Sequence, residues 1–138
     1  VRIVFDTNVV LDVLLEREPH VVPAAGLFAL VDNGLVGGAI CATTATTIYY
    51  IAAKSFGTKR AREEVRALLE LFEVAPVDRL VLDSALDVGF SDYEDAVIHE
   101  AARAIGADAI VTRDRADFAS AVIPALHPHE MLAVISAA

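Results

Sequence analysis

Four aspartates stand where apolar segments end or helices begin: Asp6 closes RIVF, Asp95 lies in SDYEDAVIHEAARAI, and Asp114 and Asp117 lie in TRDRADF. Each has an ordinary explanation. Asp6 or Thr7 can cap a helix over residues 8 to 16, with Asn8 in its first turn. Ser91 and Glu94, like Asp92 and Asp95, have capping-box spacing, so Asp92 and Glu94 need be no more than helix-start acids. Thr112 or Asp114 suits a cap or turn. Asp95 differs, because Ile98, Ala102 and Ile105 follow it on one helical stripe. A carboxylate heading an apolar stripe is costly to bury unless a cation, metal or donor set meets it. Brought together, such carboxylates repel one another and are tolerated only if their pKa values rise or a cation binds. A donor set made only of oxygen points to Mg²⁺ or Mn²⁺ rather than zinc.

The other reactive residue types add little. His20 adjoins Pro19, and His127 and His129 flank Pro128 in what reads as a helix-start turn. His99, four residues after Asp95, is either a further ligand or an exposed or neighbour-bonded histidine. No Ser/His/Asp or Cys/His arrangement suggests a covalent nucleophile. Cys41, the single cysteine, lies in the apolar GAIC and reads as a small core residue.

The elements that must position these acids alternate along the chain. RIVF is a strand; helices follow over 8 to 16 and 20 to 33, separated by Pro19. GAIC is a second strand, and the next helix carries Ile48, Ile51, Ala52 and Ser55 on one face until Gly57 closes it. A helix over 58 to 72, a brief VAP strand and a helix over 79 to 88 precede the SDYEDAVIHEAARAIGA helix. The strands DAIVT and VIPAL and a helix over 128 to 136 complete the order. Strands alternating with helices predict a parallel sheet covered on both faces, with ligand chemistry at the strands' carboxyl ends. Aspartates from two such ends and one helix start, together in one parallel sheet, predict an acidic pocket.

With 138 residues, 56% of them hydrophobic and 22% charged, the chain is one domain able to bury a core without disulfides. Polar residues cut every apolar run short of membrane-spanning length, and VRIVFDTN reads as a structural element rather than a signal peptide, so the expectation is a cytoplasmic protein. The net charge of −9 argues against broad phosphate-backbone binding. The exception is KSFGTKRAREEVR, which is either a solvated helix face or a local basic patch with Lys59 and Arg60.

VFDTNVVLD, YEDAVIHEAARAIGADAIVTRD and TRDRADF, in this order and separation, resemble the PIN-domain nucleases, which include the VapC-type toxins of bacterial toxin-antitoxin pairs. The resemblance spans essentially the whole chain. It implies a three-layer α/β/α sandwich with a short, mostly parallel central sheet, Mg²⁺- or Mn²⁺-dependent cleavage of RNA, a homodimer and a small antitoxin partner. By position it makes Asp6 the first metal-binding acid, Asp95 the third and Asp114 the fourth, with Asp117 a further candidate; Asn8 and Thr112 match polar residues that orient carboxylates or water. Arg113, Arg115, Lys59 and Arg60 are then candidate phosphate contacts. The chain departs at the second acid. Many members carry a glutamate in the helix after the second strand, where this sequence reads ATTATTIYY and Thr47 is the best match, Thr46 the next. A hydroxyl replaces an anionic ligand poorly, although some PIN-like branches carry threonine or asparagine there. This leaves open a PIN-fold binding or regulatory module with a degraded site. A phosphohydrolase of the haloacid dehalogenase type also begins with an apolar strand ending in aspartate, but it expects a second aspartate where Asn8 stands.

Overall fold

Strand β1 (Arg2–Phe5) shows how the alternation of side chains builds two cores. Ile3 and Phe5 point to one face of the sheet and Val4 to the other, and all three are fully buried. A computed structural model describes residues 1–137 of the chain. Five parallel strands, β1, β2 (Gly37–Cys41), β3 (Glu73–Ala75), β4 (Ala109–Val111) and β5 (Ala125–Leu126), pair in the order β3-β2-β1-β4-β5. Among the described residues seven α-helices surround them: α1 (Thr7–Leu14), α2 (Val21–Asp32), α3 (Ala42–Phe56), α4 (Thr58–Leu71), α5 (Arg79–Ala85), α6 (Tyr93–Ala104) and α7 (Pro128–Ala137). The expected three-layer α/β/α sandwich is the observed one.

The layers follow from handedness. Right-handed crossovers running from β1 to β2 to β3 place their helices on one face, and the return to β4 on the far side of β1 places its helices on the other. Accordingly, residues of α1, α2, α3, α4 and α7 join Ile3, Phe5, Ile40 and Val111 in one core, while α5 and α6 join Val4, Ala39, Ala75 and Ile110 in the second. The first core is filled by large side chains, including Phe5, Phe28 and Phe72 in mutual edge and tilted contact at 5.0–5.5 Å. Gly38 is obligatory there: a Cβ would stand 2.7 Å from Val31 and 3.0 Å from Phe72. The second core is alanine-rich, which lets α6 press so closely on the sheet that every residue from Ala96 to Ala102 is buried. That burial exceeds the single stripe expected from periodicity.

Several boundaries are shorter than the sequence pattern suggests. The VIPAL strand pairs only at Ala125–Leu126, and the helix expected over 79 to 88 ends at Ala85. In α3 the buried face is Thr44, Ile48 and Ala52, whereas Ser55 is exposed. Gly57, at φ 90°, does close α3 and opens α4 in the next residue. The HPH segment is a helix start: Pro128 takes the first position of α7, and the Glu130 side chain accepts the His127 amide at 2.9 Å.

Candidate functional site

In a doubly wound sheet the crevice lies where successive crossovers diverge, at the carboxyl ends of the strands on either side. Here that place is between β1 and β4. Asp6 is the residue after β1, and Thr112 the residue after β4. Helix α6 leads into parallel strand β4 and so runs back along the sheet, which sets its first turn at the same edge. That is why strand-end acids and helix-start acids meet. A cavity of about 210 Å³ opens there, lined by Asp6, Asp92, Glu94, Asp95 and Asp114 with Thr7, Asn8, Leu11 and Ile98. Among the described residues no basic side chain lines it.

Asp6, 5% exposed, is the N-cap of α1 and uses both carboxylate oxygens. Its Oδ1 accepts the Thr7 amide at 2.8 Å, as a cap would, while Oδ2 accepts the Thr112 hydroxyl at 2.7 Å. Thr112 is fully buried and its Oγ1 also accepts the Asp114 amide at 3.0 Å, so one hydroxyl ties two of the acids together. The Asn8 amide donates to Asp114 Oδ2 at 2.8 Å, leaving its own Oδ1 buried without a hydrogen-bond partner. One turn further along α1, Asp12 is completely buried and accepts Arg113 at 2.6 Å and 3.3 Å. Three consecutive residues, Thr112, Arg113 and Asp114, are thus held by Asp6, Asp12 and Asn8.

Electrostatics in the cavity are one-sided. Burial pushes the Asp6 carboxyl above its ordinary range, against the hydrogen bonds of Thr112 and Thr7, and Asp114 and Glu94 push it further. Asp95 is pushed up to about 7, first by burial and then by the charges of Asp6, Asp92, Asp117 and Glu94. Among the described residues no group of three or more His, Cys, Asp or Glu side chains is assembled to hold a metal ion. The donors are chemically suited to a hard divalent cation, being oxygen only, mutually repelling and accompanied by the orphaned Asn8 oxygen, but they are not drawn together. A larger hollow of about 370 Å³ between α5 and α6 includes Glu100 and Arg103 and lacks this concentration of acids.

The remaining sequence candidates fall in different places. Asp117 lies outside the lining, in the 3₁₀ turn Arg115–Phe118 that follows β4, close enough for its charge to act on Asp95. His99 is turned away to a structural role. Its Nε2 accepts the Val122 amide at 3.1 Å, so Nδ1 carries the proton and donates to Glu100 at 2.8 Å, and burial lowers its pKa. Arg113 is occupied by Asp12, and Arg115 is paired with Glu130 at 2.9 Å. Arg60 stacks on Phe56 at 3.9 Å and lies 3.5 Å from Glu64, while exposed Lys59 forms no ion pair among the described residues. Thr47 does not line the cavity itself but donates to Glu94 Oε1 at 3.4 Å. The sequence pattern explains Glu94 as a helix-start acid and carries no local signal that Asp12 is buried against Arg113.

Comparison with known proteins agrees with this architecture. The sequence has no significant match among curated proteins. Among solved structures, a toxin-antitoxin complex from Klebsiella pneumoniae is similar with a TM-score of 0.69 and 22% identity, covering 91% of this chain and 96% of that one. VapBC2 from Rickettsia felis, bound to a promoter DNA fragment, has a TM-score of 0.69 and 15% identity, with 92% and 98% covered. VapC20 of Mycobacterium tuberculosis, a sarcin-ricin loop cleaving toxin, has a TM-score of 0.63 and 14% identity, with 78% and 86% covered. The sequence profile of the PIN domain matches residues 2–116, from β1 through the Asp114 turn, and with most of the chain accounted for in this way the protein belongs to the PIN-domain family.

Proposed function

We propose that this PIN domain is a Mg²⁺- or Mn²⁺-dependent endoribonuclease acting in the cytoplasm as the toxin of a toxin-antitoxin pair. The observation that carries the reading is the acid cavity at the β1/β4 switch point: Asp6, Asp95 and Asp114 share it and the protein supplies no cation to it. A bound divalent ion there supplies an activated water and neutralises charge at the scissile phosphate. Asp6, Asp95 and Asp114 are the residues that would hold it, with Asp117 nearby. Thr112 and Thr7 fix the Asp6 carboxylate, and Asn8 fixes Asp114, so the donors keep their places while substrate enters. Phosphates of RNA flanking the cleaved bond find positive charge on exposed Lys59, Arg62 and Arg66 of α4 rather than on Arg113 or Arg115, both of which are engaged.

The toxin role draws support from the similar structures, several of which are toxin-antitoxin complexes. Exposed Leu80, Leu82, Leu86 and Tyr93 offer apolar surface for a homodimer or an antitoxin. The test is cleavage of a mixed RNA pool with Mn²⁺ or Mg²⁺, comparing wild type with Asp6→Asn and Asp95→Asn. Cleavage should need the metal and fall at least a hundredfold in both variants. RNA binding without metal or cleavage would favour instead a regulatory module, the reading that the Thr47 substitution supports.

A further inference from the structure

We propose that Glu94 supplies, from α6, the metal-holding carboxylate that α3 lacks at Thr47. This inference rests on the metal-dependent reading of the acid cavity. Glu94 and Thr47 are 47 residues apart in sequence, yet the Thr47 hydroxyl donates to Glu94 Oε1 at 3.4 Å. The carboxylate therefore reaches from α6 to α3, at the position where the family resemblance implies an acid. Glu94 lines the same cavity as Asp6, Asp95 and Asp114, and its charge bears on both Asp6 and Asp95.

Ordinary capping does not employ it. The N-cap of α6 is Asp92, whose Oδ1 accepts the Asp95 amide at 3.0 Å, and the Ser91/Glu94 capping box is not formed. Among the described residues Thr47 is the one hydrogen-bond partner of the Glu94 side chain, and no salt bridge neutralises it. An exposed carboxylate without a counter-charge on a cavity shared with Asp6, Asp95 and Asp114 is suited to a cation. Thr47 is then a positioning residue: its hydroxyl steers Glu94 and leaves the charge to it.

The experiment is Mn²⁺ titration of the purified chain by calorimetry and by thermal shift, independent of RNA cleavage. Glu94→Gln keeps an acceptor for Thr47 and removes the charge; Thr47→Glu in that background returns a carboxylate from α3. Mn²⁺ association should fall at least tenfold in Glu94→Gln, with the metal-free melting temperature not lowered, and should be partly regained in the double variant. Wild-type Mn²⁺ affinity in Glu94→Gln, with Asp6→Asn losing it, would overturn this inference while leaving the proposed function standing. Loss in Glu94→Gln without recovery in the double variant would overturn the equivalence of the two positions. No Mn²⁺ response in wild type would overturn both readings.

Discussion

Two acidic regions at and just beyond the start of α1 are built on opposite principles. Around Asp12, which is fully buried, the protein brings its own counter-charge: Arg113 at 2.6 Å and Arg17 at 3.7 Å. Around Asp6 and Asp95 it brings more carboxylates, and the donors it does provide are neutral hydroxyls and amides. Burying an unpaired charge costs several kcal/mol, roughly, so such a carboxylate either takes up a proton or meets a cation from outside the chain. The first region stabilises the fold. The second is held at a cost to the metal-free protein, and it is held in shape by the first, because Arg113 lies between Thr112 and Asp114.

Substitutions should separate the two regions by sign. Asp12→Ala leaves Arg113 without its partner and should cost about 3 kcal/mol or more in urea unfolding. A loss below about 1 kcal/mol would show that the arginine is satisfied by solvent. Asp95→Asn in chelated, metal-free protein should do the reverse at pH 8, raising stability by on the order of 1 kcal/mol after allowance for solvent screening and for the lost helix-dipole contact. Unchanged or lower stability would mean that the cavity acids do not strain the fold.

Smaller effects sharpen the contrast. Thr112→Val removes the donor to Asp6 and the acceptor for the Asp114 amide, and should cost about 1–2 kcal/mol by chemical denaturation while weakening Mn²⁺ binding. Retained metal affinity in this variant would show that Asp6 needs no fixed donor. The pH response has a definite sign. Asp6 and Asp95 have folded pKa values above the unfolded 3.8, Asp95 at about 7, so their contribution is greatest below the unfolded value and is lost as pH rises through the folded one. His99, with a folded pKa below 6.5, opposes this as pH falls under that value. Between pH 8.5 and 6.5 the melting temperature of metal-free protein should therefore rise by a few degrees as pH falls, and Asp95→Asn should flatten the slope. A slope of the opposite sign would indicate that another group governs stability in this window.

The parts of the site legible in the sequence were those whose signal is local. Asp6 after RIVF and Asp114 after DAIVT mark strand ends by a change of hydropathy within a few residues, and parallel topology places such ends on one edge. Asp95 was legible because helical spacing aligns it with Ile98 and Ala102, both of which are buried. Glu94 was not, because its neighbours Asp92 and Asp95 supply a sufficient capping explanation, and its Thr47 partner lies 47 residues away. The Arg113 pair was hidden for the same reason: an arginine in a turn looks free until the helix carrying Asp12 is docked 101 residues away in sequence. His99 was weighed as a ligand because i, i+4 spacing from Asp95 permits it, but packing against Phe90 and the Val122 amide claims the ring.

By itself, the sequence determined the order of strands and helices, the parallel sheet, the two faces of β1 and the edge at which the acids gather, since all of these depend on periodicity and handedness over short stretches. Tertiary structure alone decided which acids are paired and which are left facing one another. Charge balance is a property of distances in space, and Asp6–Thr112, Asn8–Asp114, Asp12–Arg113 and Thr47–Glu94 become neighbours only when α1, α3, α6 and the end of β4 are packed around one switch point.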